Sequence, residues 1–396
     1  MRAGAEKGDG ILIIGGGLAA ARTAEHLRRA QFDGPIAIVG AEAHLPYDRP
    51  PLSKDVLHSG VDDVALKSAD FYLEKDISLR MGCAAVSVDV EAQTVELADR
   101  STVGYGRLVI ATGLVPKRIS SLPDLRGICF LRTLDDALVL RDRASSARRA
   151  VIVGAGFVGC EVAASLRKLG VEVVLVEPQP VPLASVLGER IGGLVARLHR
   201  AEGVDVRTGV SVAGVIGAGD EVEKVVLTDG SEHEADLVLV GIGSRPATDW
   251  LDGGDIEVDN GIVCDELGHT SAPNVWALGD VASWRNSAGR QVRVEHWSNV
   301  AEQVRVLVPA MLGQELPAAV AVPYFWSDQY DVKIQCLGEP RSTDIVHLVE
   351  DDGRKFLAYF ERDGSVVGVV GGGMPGLVMK TRGKIAAGAP ISEVLA

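Results

Sequence analysis

Cysteine is scarce and scattered in this chain. The 396 residues hold five, at Cys83, Cys129, Cys160, Cys264 and Cys336, with no CxxC or CxxxxC spacing. That excludes the short-spaced ligands of a zinc site, leaves no metal centre expected, and leaves no dithiol redox pair; the thiols read as small core residues in a reducing compartment. Positive charge is also short, with 40 Lys and Arg against 54 Asp and Glu and a net charge of -14. A nucleic-acid partner, which needs a basic footprint, is thereby excluded. No apolar run approaches a membrane span, and Met1 to Gly10 lacks a signal peptide's apolar core, so a cytoplasmic protein is expected. With 47% hydrophobic and 24% charged residues and no low-complexity stretch, the chain is globular and long enough for two or three domains.

What is present in quantity is glycine at turns. Val151 to Val153 run into Gly154-x-Gly156-x-x-Gly159, apolar Val158, Val162, Leu166 and Leu169 follow at helical spacing, and Gly170 ends the helix before a second apolar strand, Val171 to Val176. Glycine lets the backbone approach a pyrophosphate, the helix N-terminus supplies free amides, and Glu177, 18 residues beyond Gly159, stands where a ribose hydroxyl would sit. A carboxylate there repels a 2′-phosphate, and the following Pro178 to Pro182 offers no arginine, so NADH is expected over NADPH. A second such unit lies near the N-terminus. Ile11 to Ile14 lead into Gly15-x-Gly17-x-x-Ala20, then a helical stripe and a strand ending at Glu42. Two units imply two dinucleotides, the nicotinamide carrier and FAD, because hydride transfer needs a bound acceptor.

After Glu42, the prolines of LPYDRPPLSK hold the chain extended and present Arg49, suited to a pyrophosphate, and Lys54, suited to a flavin edge or an acidic partner; spacing alone allows a solvated surface loop equally well. Short alternating strands fill residues 77 to 110 and end in Ala111-Thr112-Gly113. Ala235 to Val240 ends likewise in Gly241-Ile242-Gly243. Such small-residue turns let backbone lie against a cofactor. Asp280, at the end of a strand from Asn274, is placed to accept from a polyol such as a ribityl chain or to cap a helix, and a helix is expected from Asn299. The fold class expected is α/β, with two Rossmann-like domains and a C-terminal α+β domain in a glutathione reductase-like architecture. The FAD domain covers 1–118 and 246–319, the inserted NAD domain 119–245, and the aromatic, strand-rich third domain 320–396.

With these motifs in hand, the sequence closely resembles the FAD-dependent ferredoxin reductases of bacterial oxygenase systems, the group of putidaredoxin reductase, rubredoxin reductase and the biphenyl dioxygenase reductase, related to apoptosis-inducing factor. LPYDRPPLSK, LVIATG, TSAPNVWALGDVA, VEHWSNVAEQ and FWSDQYDVKIQ carry the resemblance in that order over nearly the whole chain. It implies that Ala19, Glu42, Arg49, Lys54, Ala85, Arg132, Asp280 and Trp297 contact FAD, with Thr112 and Gly113 lining it. Glu161 would meet the nicotinamide amide and pair with Lys54, and Trp326 would lie by the isoalloxazine. Two departures stand out: Ala41 replaces an acid found in some members, leaving Glu42 alone for the adenosine ribose, and Asp99-Arg100 replaces the usual Asp-Gly hairpin turn.

The reaction so implied starts with hydride passing from NADH to the flavin, with Lys54, Glu161 and Trp326 as the catalytic set. No cysteine pair lies near PYDRPPLSK, so electrons leave the flavin directly, to a two-iron two-sulfur ferredoxin. Such ferredoxins are acidic. Arg305, matching a family docking arginine, and Lys380, Arg382 and Lys384 are the docking candidates, though the C-terminal three serve equally as solvated surface. A monomer or weak dimer is expected. The alternatives are an NADH oxidase or monodehydroascorbate-type reductase with a small acceptor, and a redox-sensing interaction protein of the apoptosis-inducing factor kind.

Overall fold

A computed structural model describes residues 10–60, 63–316 and 322–395. The chain divides into two compact units, one of residues 1–48, 63–115 and 244–319, the other of 49–62, 116–243 and 320–396.

The first unit is built on a five-stranded parallel sheet in the order Val275–Ala277, Arg107–Ile110, Ile11–Ile14, Ile36–Gly40, Ile77–Met81. Its central strands are continuous apolar runs, as strands covered on both faces must be. Ile11, Ile13, Ile36 and Ile38 pack towards helices Leu18–Arg29 and Trp297–Leu312, while Leu12, Ile14, Leu108 and Ile110 face a second core with Val95, Leu97 and Ile262. An antiparallel sheet of Ala85–Asp89, Thr94–Leu97 and Thr102–Gly104 joins that core. Its Asp99-Arg100 turn forms without glycine: Arg100 takes a left-handed φ of 66°, and the Asp99 carboxylate accepts from the Ser101 amide at 3.0 Å and hydroxyl at 2.6 Å. Those bonds, with Arg80, hold the Asp99 carboxyl down to about 2.

The second unit repeats the plan. Five parallel strands stand in the order Asp205–Thr208, Glu172–Glu177, Arg149–Val153, Leu237–Val240, Ile128–Cys129. Helix Leu134–Ser146 opens with a capping box between Thr133 and Asp136. The helix Phe157–Lys168 departs from the expected apolar stripe: Val158 is 42% exposed and Leu169 41%, while Cys160 to Leu166 are buried. The cause is close packing on the sheet, since a Cβ on Gly159 would lie 2.0 Å from the Gly154 carbonyl oxygen; the small face turns inward and the larger end residues outward. The same unit holds a five-stranded antiparallel sheet, Tyr324–Gln329, Val332–Gly338, Ser365–Gly372, Phe356–Arg362 and Ile345–Asp351, followed by three short helices.

Candidate functional site

In the first unit, Gly15 has φ 130°, and a side chain on it would meet the Ala111 carbonyl oxygen at 2.2 Å. Only glycine fits between the two strand ends. The chain then turns at Gly17, the N-cap of helix Leu18–Arg29, which carries no capping side-chain bond and no acid in its first turn. Its first amides therefore face whatever lies outside the helix, and a Cβ on Gly17 would meet nothing within 4 Å. Ala19 and Ala20 are buried, and a Cβ on Gly279 would stand 3.2 Å from that of Ala19, which puts the Gly279-Asp280 turn beside the helix start. Gln303, which sequence reasoning did not single out although it lies in VEHWSNVAEQ, accepts from the Gly279 amide at 2.7 Å and fixes that turn. Leu278 occupies the N-cap of the short helical turn there, and Asp280 lies within that turn.

The remaining first-unit candidates are each held by a neighbour. Glu42 accepts from the Tyr47 hydroxyl at 2.5 Å. The Thr112 hydroxyl donates to the Ala247 carbonyl at 2.9 Å, whose own amide donates to the Gly113 carbonyl at 3.0 Å. Trp297 donates its indole N–H to Asp48 at 2.7 Å; it begins the helix expected from Asn299, two residues earlier than the sequence pattern indicated. Ala85 starts an outer strand and is half-buried. An uncapped helix N-terminus entered by a glycine turn, with an acid beside the next strand, is a donor and acceptor set that fits the adenosine diphosphate half of FAD.

In the second unit, Gly154 repeats the geometry of Gly15, with φ 101° and a Cβ position 2.4 Å from the Gly241 carbonyl oxygen. Gly156 is the uncapped N-cap of helix Phe157–Lys168 and again has nothing within 4 Å of its Cβ position. Glu177 accepts from the Ala155 amide at 2.8 Å and the Gln179 amide at 3.0 Å, so its carboxylate is aimed across the glycine turn. Gly243 lies at φ 93° with open space around it.

The same unit gathers a buried ionic centre. Glu161, 6% exposed, accepts from Lys54 Nζ at 2.7 Å and from the Ser53 hydroxyl at 2.5 Å on one oxygen, and from the Ser327 hydroxyl at 2.8 Å on the other. A carboxylate is stable at such depth only when paired and hydrogen-bonded, as here. Ser165 donates to the Ser53 carbonyl at 2.7 Å, and Lys54 donates to that of Pro50 at 3.0 Å. The proline-rich segment thus delivers both donors to Glu161 and is not a loose surface loop. Arg49 hydrogen-bonds the Arg132 carbonyl, and the Arg132 amide donates to Asp136 at 3.0 Å. Trp326 stacks on Tyr324 with ring centres 5.9 Å apart.

All five cysteines are free, and four are buried. Burial pushes the Cys129 thiol up to about 11 and that of Cys264 up to about 12, and raises those of Cys160 and Cys336. Those four are held protonated, and all five are unpaired, which is the wrong state for thiol redox chemistry. Among the described residues no helix is long and apolar enough to cross a membrane, and no group of three or more His, Cys, Asp or Glu is placed to hold a metal. Of the docking candidates, Arg305 is 45% exposed beside Glu302 at 3.4 Å. Arg382 donates to the Val322 carbonyl at 3.4 Å and Lys384 to that of Glu393, bonds that tie both to their own fold.

Comparison with known proteins divides the chain differently, into a long N-terminal match that runs through both units and a C-terminal one. The pyridine nucleotide-disulphide oxidoreductase family matches residues 9–303, and the reductase C-terminal family residues 324–396. A ferredoxin–NAD(P)(+) reductase of Sphingomonas is 37% identical over 90% of this chain and 88% of its own. The ferredoxin–NAD(+) reductase subunit of the Pseudomonas putida benzene 1,2-dioxygenase system is 38% identical over 83% and 80%. Among solved structures, the covalent putidaredoxin reductase–putidaredoxin complex matches with a TM-score of 0.94 at 31% identity, over 98% of this chain and 96% of that one. The chain belongs to the pyridine nucleotide-disulphide oxidoreductase family, among its ferredoxin reductases.

Proposed function

We propose that this protein is a cytoplasmic, NADH-dependent flavoprotein that passes electrons by way of FAD to a two-iron two-sulfur ferredoxin serving an oxygenase. The observation that carries the reading is the pair of uncapped, glycine-entered helix N-termini, one in each unit, in a chain whose five thiols are all unpaired. Two dinucleotides are bound, and no sulfur relay carries charge onward. The overall balance is NADH and two oxidised ferredoxins giving NAD+, two reduced ferredoxins and a proton.

The roles follow from the chemistry of each side chain. The amides behind Gly15 and Gly17 hold the FAD pyrophosphate against Ala19 and Ala20, Glu42 takes the adenosine ribose, and Asp280 takes a polyol hydroxyl. Ala85, Thr112, Gly113, Trp297, Arg49 and Arg132 are further FAD contacts. The turn from Gly154 to Gly159 holds the pyrophosphate of NADH, with Gly243 beside it. Glu177 takes the ribose 2′-hydroxyl and repels a 2′-phosphate. Glu161 accepts from the nicotinamide carboxamide and fixes the ring for transfer, Lys54 pairs with that carboxylate and holds it in place, and Trp326 offers a flat face to an aromatic ring. The chemistry FAD supplies when bound is acceptance of a hydride and release of its two electrons singly.

Support for the acceptor comes from the relatives, reductases of oxygenase systems, and from a solved neighbour caught with its ferredoxin partner putidaredoxin. Arg305 is the docking residue we favour over Lys380, Arg382 and Lys384, because it matches a docking arginine of the family resembled and because Arg382 and Lys384 are tied to their own backbone. The test is anaerobic reduction of a two-iron two-sulfur ferredoxin by the purified yellow protein and NADH. In Arg305→Glu, ferredoxin reduction falls about tenfold or more, as for a charge reversed at a steered interface. NADH–ferricyanide activity stays intact. Equal loss of both activities excludes docking at Arg305, and failure of every ferredoxin tried excludes the acceptor.

A further inference from the structure

Glu161 is the end of a longer buried chain. Ser327, which donates to it, accepts from the Gln329 side-chain amide at 3.2 Å; Gln329 Oε1 lies 3.0 Å from His199 Nε2; and His199 Nδ1 lies 2.8 Å from the Tyr330 hydroxyl. Ser327 and Gln329 are two apart on strand Tyr324–Gln329 and so point to one face, opposite Trp326. Ser327, Gln329 and His199 are fully buried.

One end fixes every direction. An ionised carboxylate only accepts, so the Ser327 hydroxyl donates to Glu161 and its lone pair is left for the Gln329 amide. The Gln329 carbonyl then takes the His199 Nε2–H, and His199 Nδ1 accepts from Tyr330. Burial, opposed only in part by the Gln329 bond, holds the imidazole down to about 4, so it is neutral and has one proton to give. Every dipole in the series points its positive end at Glu161, and aligned bonds in a low-dielectric interior strengthen one another. The titratable groups around the chain are Lys54 and Cys160 at the carboxylate end, with Glu202, Arg167 and Arg354 around Tyr330. A carboxylate offers about four acceptor positions. Lys54, Ser53 and Ser327 take three of them.

We propose that His199, Gln329 and Ser327 are positioning residues that fix the orientation of the Glu161 carboxylate and turn its remaining acceptor position towards the carboxamide of NADH. The proposal rests on the reading of Glu161 as the nicotinamide contact. Sequence pattern alone does not reveal it, because the members come from a helix of the parallel layer and a strand of the antiparallel sheet.

The test uses the FAD-loaded protein and the apparent Kd for NADH, taken from the concentration dependence of anaerobic flavin bleaching between pH 5.5 and 8.5. Glu161→Gln serves as the control for the underlying reading and weakens NADH binding at all pH values. Gln329→Glu places a carboxylate that competes with Glu161 for the Ser327 hydroxyl and adds a like charge near it. With the Ser327 hydroxyl drawn off the Glu161 carboxylate, the Kd for NADH rises about tenfold or more. Gln329→Met raises the Kd about three- to tenfold, the worth of one hydrogen bond, with flavin content and limiting rate unchanged. In the unsubstituted protein, 15N NMR finds His199 neutral and protonated on Nε2 over the whole range. Wild-type affinity in both Gln329 variants, alongside a weakened Glu161→Gln, overturns the relay alone, as does a charged or Nδ1-protonated His199. An unaffected Glu161→Gln overturns the nicotinamide contact itself, and the relay with it.

Discussion

The two glycine turns begin alike and end differently. At the first position, Gly15 and Gly154 are each forced by a carbonyl of their own protein, 2.2 Å and 2.4 Å from where a Cβ would stand. At the third, the first turn carries a fully buried Ala20, while Gly159 presses so closely on Gly154 that a methyl would stand 2.0 Å from its carbonyl oxygen. At the middle position, Gly17 and Gly156 have backbone angles open to any residue, φ −105° and −73°, and no protein atom within 4 Å of a Cβ. The folded chain explains the outer glycines. It does not explain the middle ones, which make sense only if something outside the chain must come close.

The largest effect expected from this contrast is on stability. Gly159→Ala forces the helix off the sheet and lowers unfolding free energy by at least about 3 kcal/mol. Ala20→Gly, at the equivalent place, costs only about 1–2 kcal/mol through lost helix propensity and a lost methyl. Denaturant melts of the two variants measure the difference, and equal losses would show the turns to be packed alike. A smaller effect separates the acids. Glu177 is held by two backbone amides, Glu42 by a tyrosine hydroxyl. Glu177→Gln keeps an acceptor for the Ala155 amide while removing the charge, so the NADH over NADPH preference in kcat/KM narrows about fivefold or more, fivefold being the worth of one like-charge repulsion at about 4 Å in water. An unchanged ratio would place the choice of nucleotide elsewhere.

Both turns were legible because glycine at fixed offsets between an apolar strand and a helix reports backbone constraints that are local in the chain. Glu177 closes its strand, as the length of the apolar run Val171 to Val176 indicated. The facing of the second helix was not legible from its apolar residues: Val158 and Leu169 point outward because Gly159 and its neighbours decide which face lies on the sheet. The partners of Glu161 were legible only in part. Lys54 came from the family resemblance, but Ser53 and Ser327 lie 108 and 166 residues away along the chain, and a serine carries no pattern that announces a buried carboxylate. Gln303 and Tyr47 were hidden likewise, since each matters only through the turn or acid it holds in the folded unit.

The most direct test of two separate cradles is to fill the open space at each middle glycine. Gly17→Val and Gly156→Val each place a Cβ with no protein atom within 4 Å on a backbone open to any residue, and circular dichroism establishes that both fold; the visible spectrum and anaerobic bleaching by NADH are then recorded for each. The account predicts a colourless Gly17→Val protein, and a Gly156→Val protein that keeps its yellow colour but is bleached by NADH at least about a hundredfold more slowly at low NADH. Flavin lost from Gly156→Val and kept by Gly17→Val, or both proteins yellow and reduced at the wild-type rate, would contradict it.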